Sequence, residues 1–430
     1  MSSALARAYS GNPTLDAQRA SVRAVDENVP RALSGFRPSI TGLANTGFSR
    51  TEGVLQGQNI SRSTNPSSVG LQISQNLFNG FRTENSTRQA ETQVFGAREG
   101  LRNVEQNTLF SGAQAYMNVL RDTAILNLQR NNVEVLEEQL SQTRTRFQVG
   151  EVTRTDVAQA ESRLAAARSQ VSTAESNLQT SIATYRQIIG VEPRQLAQGS
   201  PVDRLVPRTV TAAVQIGLEE HPAIISALHA VDAAELQVKI VEGELAPSVG
   251  LTGSLAQGFN STIQNDSSLS ASVVAQITVP IYQGGEVYAR VRQSKETAGQ
   301  RRIEAEATRD QVRAAVISAW GSLEASKATV RAAQAQVQAA EIALTGVREE
   351  SRVGQRTTLD ILNQQQELLT ARVNLITAQR DRVVASYAVV QAIGRLTAKS
   401  LGLGVEIYSA KLHFDQVKDL PWGVRTPDGR

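Results

Sequence analysis

Cysteine is absent from the 430 residues of this chain, and aromatic residues make up only 4% of them. The absence of cysteine excludes a disulfide framework, a thiolate metal site and a cysteine nucleophile. The histidines are His221, His229 and His413, and they lack the spacing of a metal site. No grouping of Asp, Glu and His typical of hydrolysis is present either. We therefore expect a protein that is not an enzyme and that holds no metal and no cofactor.

Long apolar runs are also missing. No segment approaches the roughly 18–20 apolar residues of a membrane-spanning helix, and no secretory hydrophobic region precedes Leu5. The chain is thus expected to be either cytosolic or a mature form whose signal peptide has been removed. The net charge is +3 and is spread along the sequence, which gives no support to nucleic-acid binding.

The sequence contains an internal duplication. The segment 149–157 recurs as 353–361, so that Gly150 is equivalent to Gly354. A repeat of this length is typical of two structural halves and not of the short units of a solenoid. We predict one half at about 1–190 and the other at about 208–397.

Each half contains two stretches with the two-residue period of a strand. Val69, Leu71 and Ile73 alternate with polar residues, as do the apolar residues of 249–259 and 269–281. A weaker fourth stretch runs from about 39 to 56. The pattern predicts one hairpin in each half, with loops at 57–66 and 258–267.

Elsewhere the apolar period is seven. Large residues such as Val316 and Leu323 alternate with small ones such as Ala319 and Ala333, the seam of closely packed helices. Proline-free helices are predicted at 81–148 and 286–353, and half-length helices at 2–34, 155–189, 208–244 and 359–397. The Val-Gly sequences at 149–150 and 353–354 predict left-handed helix ends, with Thr155 and Thr358 placed to start the returning helices.

A single chain of this kind leaves surfaces without partners. Four strands cannot close a barrel, because the smallest membrane barrels have about eight. The helical seams of one chain likewise face no partner. The sequence therefore predicts an oligomer.

The duplicated order of half helix, hairpin, long helix and Val-Gly turn resembles the TolC family of Gram-negative outer-membrane channels. The motifs that carry the resemblance include Pro-Ile-Tyr-Gln-Gly-Gly at 280–285 and Val-Gly-Gln-Arg-Thr-Thr-Leu-Asp at 353–360. It covers nearly the whole chain. It implies a mainly α fold with a membrane β-barrel, in which three duplicated protomers build a twelve-stranded β-barrel and a twelve-helix α-barrel tunnel.

The resemblance also implies a location and partners. Such a channel lies in the cell outer membrane, spans into the periplasm and is the exit duct of tripartite drug efflux, of type I protein secretion, or of both. Its partners are two further copies of itself, outer-membrane lipid, a periplasmic adaptor (membrane fusion protein) and an inner-membrane transporter of RND, ABC or MFS type.

Segments are assigned accordingly. The periplasmic α-helical barrel is expected to comprise 1–35, 81–189, 208–245 and 285–397, and the outer-membrane hairpins 36–80 and 246–284. An equatorial, mixed region would comprise 190–207 and 398–430.

Three groups of site residues follow from the resemblance, all at the helix turns. Asp360 and Asn363 match the pore constriction, where the family type carries a second acid in place of Asn363. The gate latch is matched by Asp156, Arg356, Thr155 and Ser351. Arg356 is expected to contact Asp156, and Ser351 stands where the family type has Tyr. The adaptor-docking tip is matched by Phe147, Val149, Gly150, Glu151, Val353, Gly354 and Gln355.

Simpler interpretations stay open at this stage. Asp156 and Asp360 fall in the first turn of a helix, where the helix dipole favours any carboxylate, and Arg356 can be a solvated charge. In a trimer, repulsion among three Asp360 carboxylates is expected to raise the pKa of at least one of them. For the whole chain, the alternative is a soluble or surface-exposed trimeric coiled-coil structural protein without transport activity.

Overall fold

The computed structural model describes residues 1–260 and 265–429, so part of the predicted loop 258–267 lies outside the described residues. The chain divides into two compact units. The first comprises Met1–Ala20, Glu99–Ile225 and Ala307–Tyr408, and the second Ser21–Arg98, Ser226–Glu306 and Ser409–Arg430.

The described residues are mainly helical, in the order expected of a duplicated chain. The helices are α1 (Ser2–Gly11), α2 (Pro13–Asp26), α3 (Asn28–Leu33), α4 (Arg82–Gln148), α5 (Arg154–Ile189), α6 (Val210–Glu220), α7 (Pro222–Glu242), α8 (Glu286–Arg352), α9 (Thr358–Ala392) and α10 (Ala410–Val417). Short 3-10 helices occupy Ser34–Phe36, Asp203–Leu205 and Gly243–Leu245.

The long helices confirm the prediction from the proline-free heptads. α4 and α8 contain 67 residues each and correspond to one another in the repeat. At about 1.5 Å per residue, each helix is roughly 100 Å long. None of the described helices is both long and apolar enough to cross a membrane.

The shorter helices depart from prediction at specific residues. The predicted helix 2–34 is interrupted at Pro13 and the predicted helix 208–244 at Pro222, because proline lacks the amide hydrogen that would continue the preceding helix. α9 was expected to run to 397 but ends at Ala392. The reason is Gly394, whose φ of 82° is left-handed and whose amide donates to the carbonyl of Gln391 at 2.9 Å.

The strands lie in the second unit. They are β1 (Ser39–Thr46), β2 (Ser49–Leu55), β3 (Gln58–Thr64), β4 (Ser67–Asn79), β5 (Ser248–Phe259) and β6 (Ser267–Thr278). An antiparallel sheet of four strands has the order β1-β4-β5-β6, so that β1 and β6 form its edges. β2 and β3 form a separate two-stranded antiparallel sheet.

One predicted loop is a strand. Residues 57–66 were expected to form a loop, yet β3 occupies most of them and pairs with β2 from Ser49↔Thr64 to Leu55↔Gln58. The chain reverses at Gln56 and Gly57, whose φ angles of 51° and 77° are those of the tight turns that join twisted strands. Polar residues dominate β3 and most of them are exposed, so its sequence lacked the apolar alternation by which a strand is recognised.

The core of the first unit follows the predicted seams. Leu136 and Leu140 of α4 pack with Ala160 and Leu164 of α5 and with Leu362 of α9. A second cluster joins Leu344 of α8 to Ile361 and Leu368 of α9. Each fully buried leucine contributes about 1.5–3 kcal/mol, so these contacts hold the ends of the helices together.

Candidate functional site at the helix turns

The turn that follows α4 is built by its backbone. Gly150 has a φ of 83°, its amide donates to the carbonyl of Phe147 at 3.0 Å, and the amide of Glu151 donates to the carbonyl of Arg146 at 2.9 Å. These two bonds form a Schellman motif, which satisfies the last carbonyls of a helix when a left-handed residue follows it. The predicted helix end at Val149-Gly150 is confirmed.

The turn that follows α8 repeats the same geometry. Gly354 has a φ of 80°, its amide donates to the carbonyl of Ser351 at 3.1 Å, and the amide of Gln355 donates to the carbonyl of Glu350 at 2.9 Å. The duplication therefore extends from sequence to individual hydrogen bonds. The first unit thus contains two equivalent turns.

The returning helices begin with matched capping boxes. The amide and hydroxyl of Thr153 donate to Asp156 Oδ2 at 2.8 and 2.7 Å, and the amide of Asp156 donates back to Thr153 Oγ1. Thr357 and Asp360 repeat this arrangement at 2.9 and 2.8 Å. Each motif satisfies amide hydrogens that a helix start leaves without partners.

One of the two predicted starting residues is wrong. α5 begins at Arg154, one residue before Thr155, whereas α9 begins at Thr358 as predicted, and the N-caps are Thr153 and Thr357. The cap is decided by the acid three residues later, because only Thr153 has Asp156 at that spacing and only Thr357 has Asp360.

The capping bonds also set the charge state of the two acids. The hydroxyl and then the amide of Thr153 lower the pKa of Asp156. The amide and then the hydroxyl of Thr357, with a smaller contribution from Arg356, lower the pKa of Asp360. Within one chain these hydrogen bonds favour the ionised form of Asp360, and the rise in its pKa expected from repulsion in a trimer stays a prediction.

The predicted latch residues are not brought together within one chain. Arg356 Nε donates to Glu350 Oε2 at 2.8 Å, which raises the pKa of Arg356, while Asp156 is engaged by Thr153. Thr155 is exposed, and Ser351 is half-buried. Arg356 and Asp156 share neither a hydrogen bond nor an ion pair in the part of the chain that the structure describes.

Asn363 of the predicted constriction has a partner that sequence reasoning missed. Arg163 Nη2 donates to Asn363 Oδ1 at 2.8 Å, joining α5 to α9. The two residues are 200 positions apart, so no local pattern could have paired them. Glu350, the partner of Arg356, was missed as well, although it lies only six residues before that arginine.

The tips of both turns expose apolar side chains. Val149 and Val353, which are equivalent in the repeat, are 68% and 70% exposed, and Phe147 is 43% exposed. A groove of about 530 Å³ adjoins them, lined by residues that include Gln142, Arg146, Glu151, Ser351, Arg352 and Ile361. Exposed apolar residues beside a polar groove are typical of a protein–protein contact surface.

Known proteins share both the sequence and the fold. The family described as Outer membrane efflux protein matches residues 4–191 and 213–395. Outer membrane efflux protein BepC of Brucella suis biovar 1 (strain 1330) is 44% identical over 432 residues, which are 100% of this chain and 93% of that protein. Outer membrane protein TolC of Escherichia coli (strain K12) is 26% identical over 407 residues, which are 91% of this chain and 81% of that protein.

A solved structure agrees. The crystal structure of the Campylobacter jejuni CmeC outer membrane channel has a TM-score of 0.82 at 17% identity, covering 97% of this chain and 89% of that chain. It shows that the fold is that of an outer-membrane channel protein. The family matches fall on both halves of the duplicated chain.

These findings confirm the family resemblance and overturn the cytosolic alternative. The family is one of channel and efflux proteins and is not a class of enzymes. The chain therefore belongs to the outer membrane efflux protein family and is a TolC-like transport protein of the outer membrane that extends into the periplasm.

Proposed function

We propose that three copies of this chain form a gated exit duct for efflux, for type I secretion, or for both. The observation that carries the proposal is the four-stranded sheet β1-β4-β5-β6, whose edge strands β1 and β6 each pair on one side only. Three such sheets joined edge to edge give twelve strands, enough to close a membrane barrel, which one chain cannot do. The predicted β-barrel segments 36–80 and 246–284 contain all six strands.

The two faces of the sheet support a barrel between lipid and water. On β6, Leu269, Val273 and Ile277 lie on one face and are 70%, 77% and 69% exposed. On the other face, Ser254 and Ser272 share a hydrogen bond at 2.8 Å across β5 and β6. An apolar face toward lipid and a hydroxyl-rich face toward a lumen are the alternation found in membrane barrels.

The helical segments complete the duct in this proposal. Segments 1–35, 81–189, 208–245 and 285–397 would form a periplasmic helical tunnel, and 190–207 and 398–430 an equatorial region around it. The two equivalent turns would then be its periplasmic entrance. There Asp360 and Asn363 from three chains would form the constriction.

The latch would act between chains. Arg356 is half exposed, and its ion pair with Glu350 is a surface pair, which contributes little to stability because water and salt screen it. A carboxylate or hydroxyl of a neighbouring chain, such as Asp156 or Thr155, could therefore replace Glu350 at little cost. Ser351 in place of a tyrosine would leave this latch with fewer contacts.

Docking of a periplasmic adaptor is proposed at the same turns. The adaptor would cover Phe147, Val149 and Val353 and enter the neighbouring groove, and Gly150 and Gly354 would keep the turns narrow enough for close approach. An inner-membrane transporter of RND, ABC or MFS type would then supply the substrate. Glu151 and Gln355, which follow the two glycines, would border this contact.

Light scattering of the protein in detergent tests the assembly. We expect the mass of a homotrimer, because the sheet edges and the apolar face need partners. A folded, stable monomer would contradict the proposal.

Single-channel conductance tests the latch. Arg356→Ser and Asp156→Asn, which removes the charge and keeps an acceptor for the cap, should each raise the resting conductance, and the double variant should add less than the sum of the two. Arg352→Ser is the control, since Arg352 is exposed at the end of α8, close to Arg356 in the chain, and pairs with Glu349 at 2.8 Å. A latch role is excluded if the Arg356 and Asp156 variants conduct like the Arg352 variant.

A further inference from the structure

Arg163 is held beside the predicted constriction by the packing of two helices. Ala160 and Leu164 of α5 pack in the same cluster as Leu362 of α9. This contact places Arg163 next to Asn363, and its guanidinium donates to the amide oxygen at 2.8 Å. The position of the cation is thus fixed by a buried contact and by a hydrogen bond.

The arginine has no ion pair among the described residues, unlike its neighbours in the same hairpin of helices. Arg144 pairs with Glu161 at 2.6 Å and Arg168 pairs with Glu137 at 2.7 Å. The partner of Arg163 is instead the neutral side chain of Asn363. Its positive charge is therefore not neutralised at this contact.

Asn363, which binds the cation, lies between two acidic residues of α9. Asp360, Asn363 and Glu367 are spaced three and four residues apart, so they lie along one side of that helix. The guanidinium binds the neutral member of the row, which lies between the two acids. With an acid at position 363, Arg163 would form a charge pair there and add no net charge.

We propose that Arg163 is a specificity-determining residue of the entrance, where its cation offsets the Asp360 carboxylates and admits solutes that carry negative charge. The inference rests on the proposed function, because it requires this part of the chain to border the pore. Arginine stays protonated at all physiological pH values, so the offset is permanent. The substrate class that benefits is organic anions, which a purely acidic ring would repel.

Reversal potentials in asymmetric potassium chloride test the proposal. Arg163→Gln, which preserves a hydrogen-bond donor, should raise the ratio of cation to chloride permeability by about twofold or more, the effect of a unit charge roughly 10 Å away through water. Arg163→Lys should behave as the wild type, since it preserves the charge. Arg168→Gln is the matched control. It removes the same charge from the same helix, but at a residue that pairs with Glu137 of α4 and not with α9.

A second pair of variants separates charge from structure. Asn363→Asp alone should raise the ratio of cation to chloride permeability about as much as Arg163→Gln does, because each substitution makes the charge beside Asp360 more negative by one unit. The same substitution in the Arg163→Gln protein should give the most cation-selective channel of the series. Similar shifts from a positive charge removed at 163 and a negative charge added at 363 are expected if Arg163 acts through its charge, and are not expected if its role is only structural.

The outcomes distinguish this inference from the function on which it rests. A wild-type trimer that forms no channel refutes the proposed function. If channels form but Arg163→Gln and Arg168→Gln have equal permeability ratios, the inference about Arg163 is wrong. It is also wrong if Asn363→Asp shifts selectivity while Arg163→Gln does not.

Discussion

Two acids at the helix turns have one role that the structure shows, capping a helix, and a second role at the pore that is proposed. Asp156 and Asp360 each accept two hydrogen bonds from a capping threonine, so both start a helix whether or not they also face a pore. The interpretation of these acids as carboxylates of a first helical turn is therefore confirmed, and it does not exclude the proposed role at a pore. A substitution by alanine would remove the cap and the charge together, so a test of charge needs Asp360→Asn.

The capping threonine gives a prediction for local stability. Thr357→Ala should lower the opening free energy of the first turn of α9 by about 1 kcal/mol, because it removes the acceptor for the amide of Asp360. Hydrogen exchange of the amides in 357–362 measures this loss. Thr370→Ala, on an exposed part of the same helix, is the control, and equal losses in the two variants would argue against the capping role.

The same motif predicts a dependence on pH. The pKa of Asp360 is lowered in the folded chain, so its contribution is complete above the ordinary aspartate pKa of about 3.9 and is lost as the pH falls through the lower folded value. Protection of the start of α9 should therefore decline in the acid range in the wild type and decline less in Asp360→Asn. An identical pH profile for the two proteins would show that the Asp360 carboxylate does not hold this turn.

The turn after α8 needs glycine for its backbone conformation, and a substitution at this glycine can test that need without disturbing any side-chain contact. A Cβ on Gly354 would meet no atom within 4 Å, so the only obstacle is its φ of 80°. Gly354→Ala should destabilise the turn by about 1–2 kcal/mol. Gly346→Ala, equally free of contacts but inside α8, should stabilise its helix by about 1 kcal/mol. Hydrogen exchange around each site should show opposite signs, and a matching sign would contradict the assignment of a left-handed turn.

The heptad seams predict an asymmetry between adjacent alanines of α8. Ala333 is 6% exposed in the core, whereas Ala332 is exposed. Ala333→Leu should cost about 1–3 kcal/mol through overpacking, and Ala332→Leu should cost little. Thermal unfolding followed by circular dichroism compares the two, and equal melting temperatures would show that the seam is not packed at this layer.

Some of the helices, strands and turns could be predicted from the sequence and others could not. Long helices and glycine turns could be predicted because their signals are local: a seven-residue apolar period and a Val-Gly pair repeated in both halves. β3 could not be, because a strand with few apolar residues has no alternation to read. The Arg163–Asn363 contact could not be predicted either, since it depends on the packing of Leu164 against Leu362.

On the scale of the whole molecule, the four-stranded sheet lacks partners for its two edge strands when the chain is alone. Every residue of β1 and β6 is exposed, although β6 carries Leu269, Val273 and Ile277 along one face. A single layer of sheet with an apolar face in water is unstable and prone to pair through its edges. In the proposed trimer, lipid on one face and two further copies at the edges would resolve both problems together.

Electrical recording in planar lipid bilayers tests whether this chain conducts solutes across a membrane as a trimer, as we propose. Purified trimer added to one side should produce discrete, uniform current steps, and Arg356→Ser should enlarge them while Arg352→Ser leaves them unchanged. The proposal that this chain forms a channel would be contradicted if folded trimer demonstrably inserts into the bilayer but passes no current, in the wild type or in the Arg356 variant.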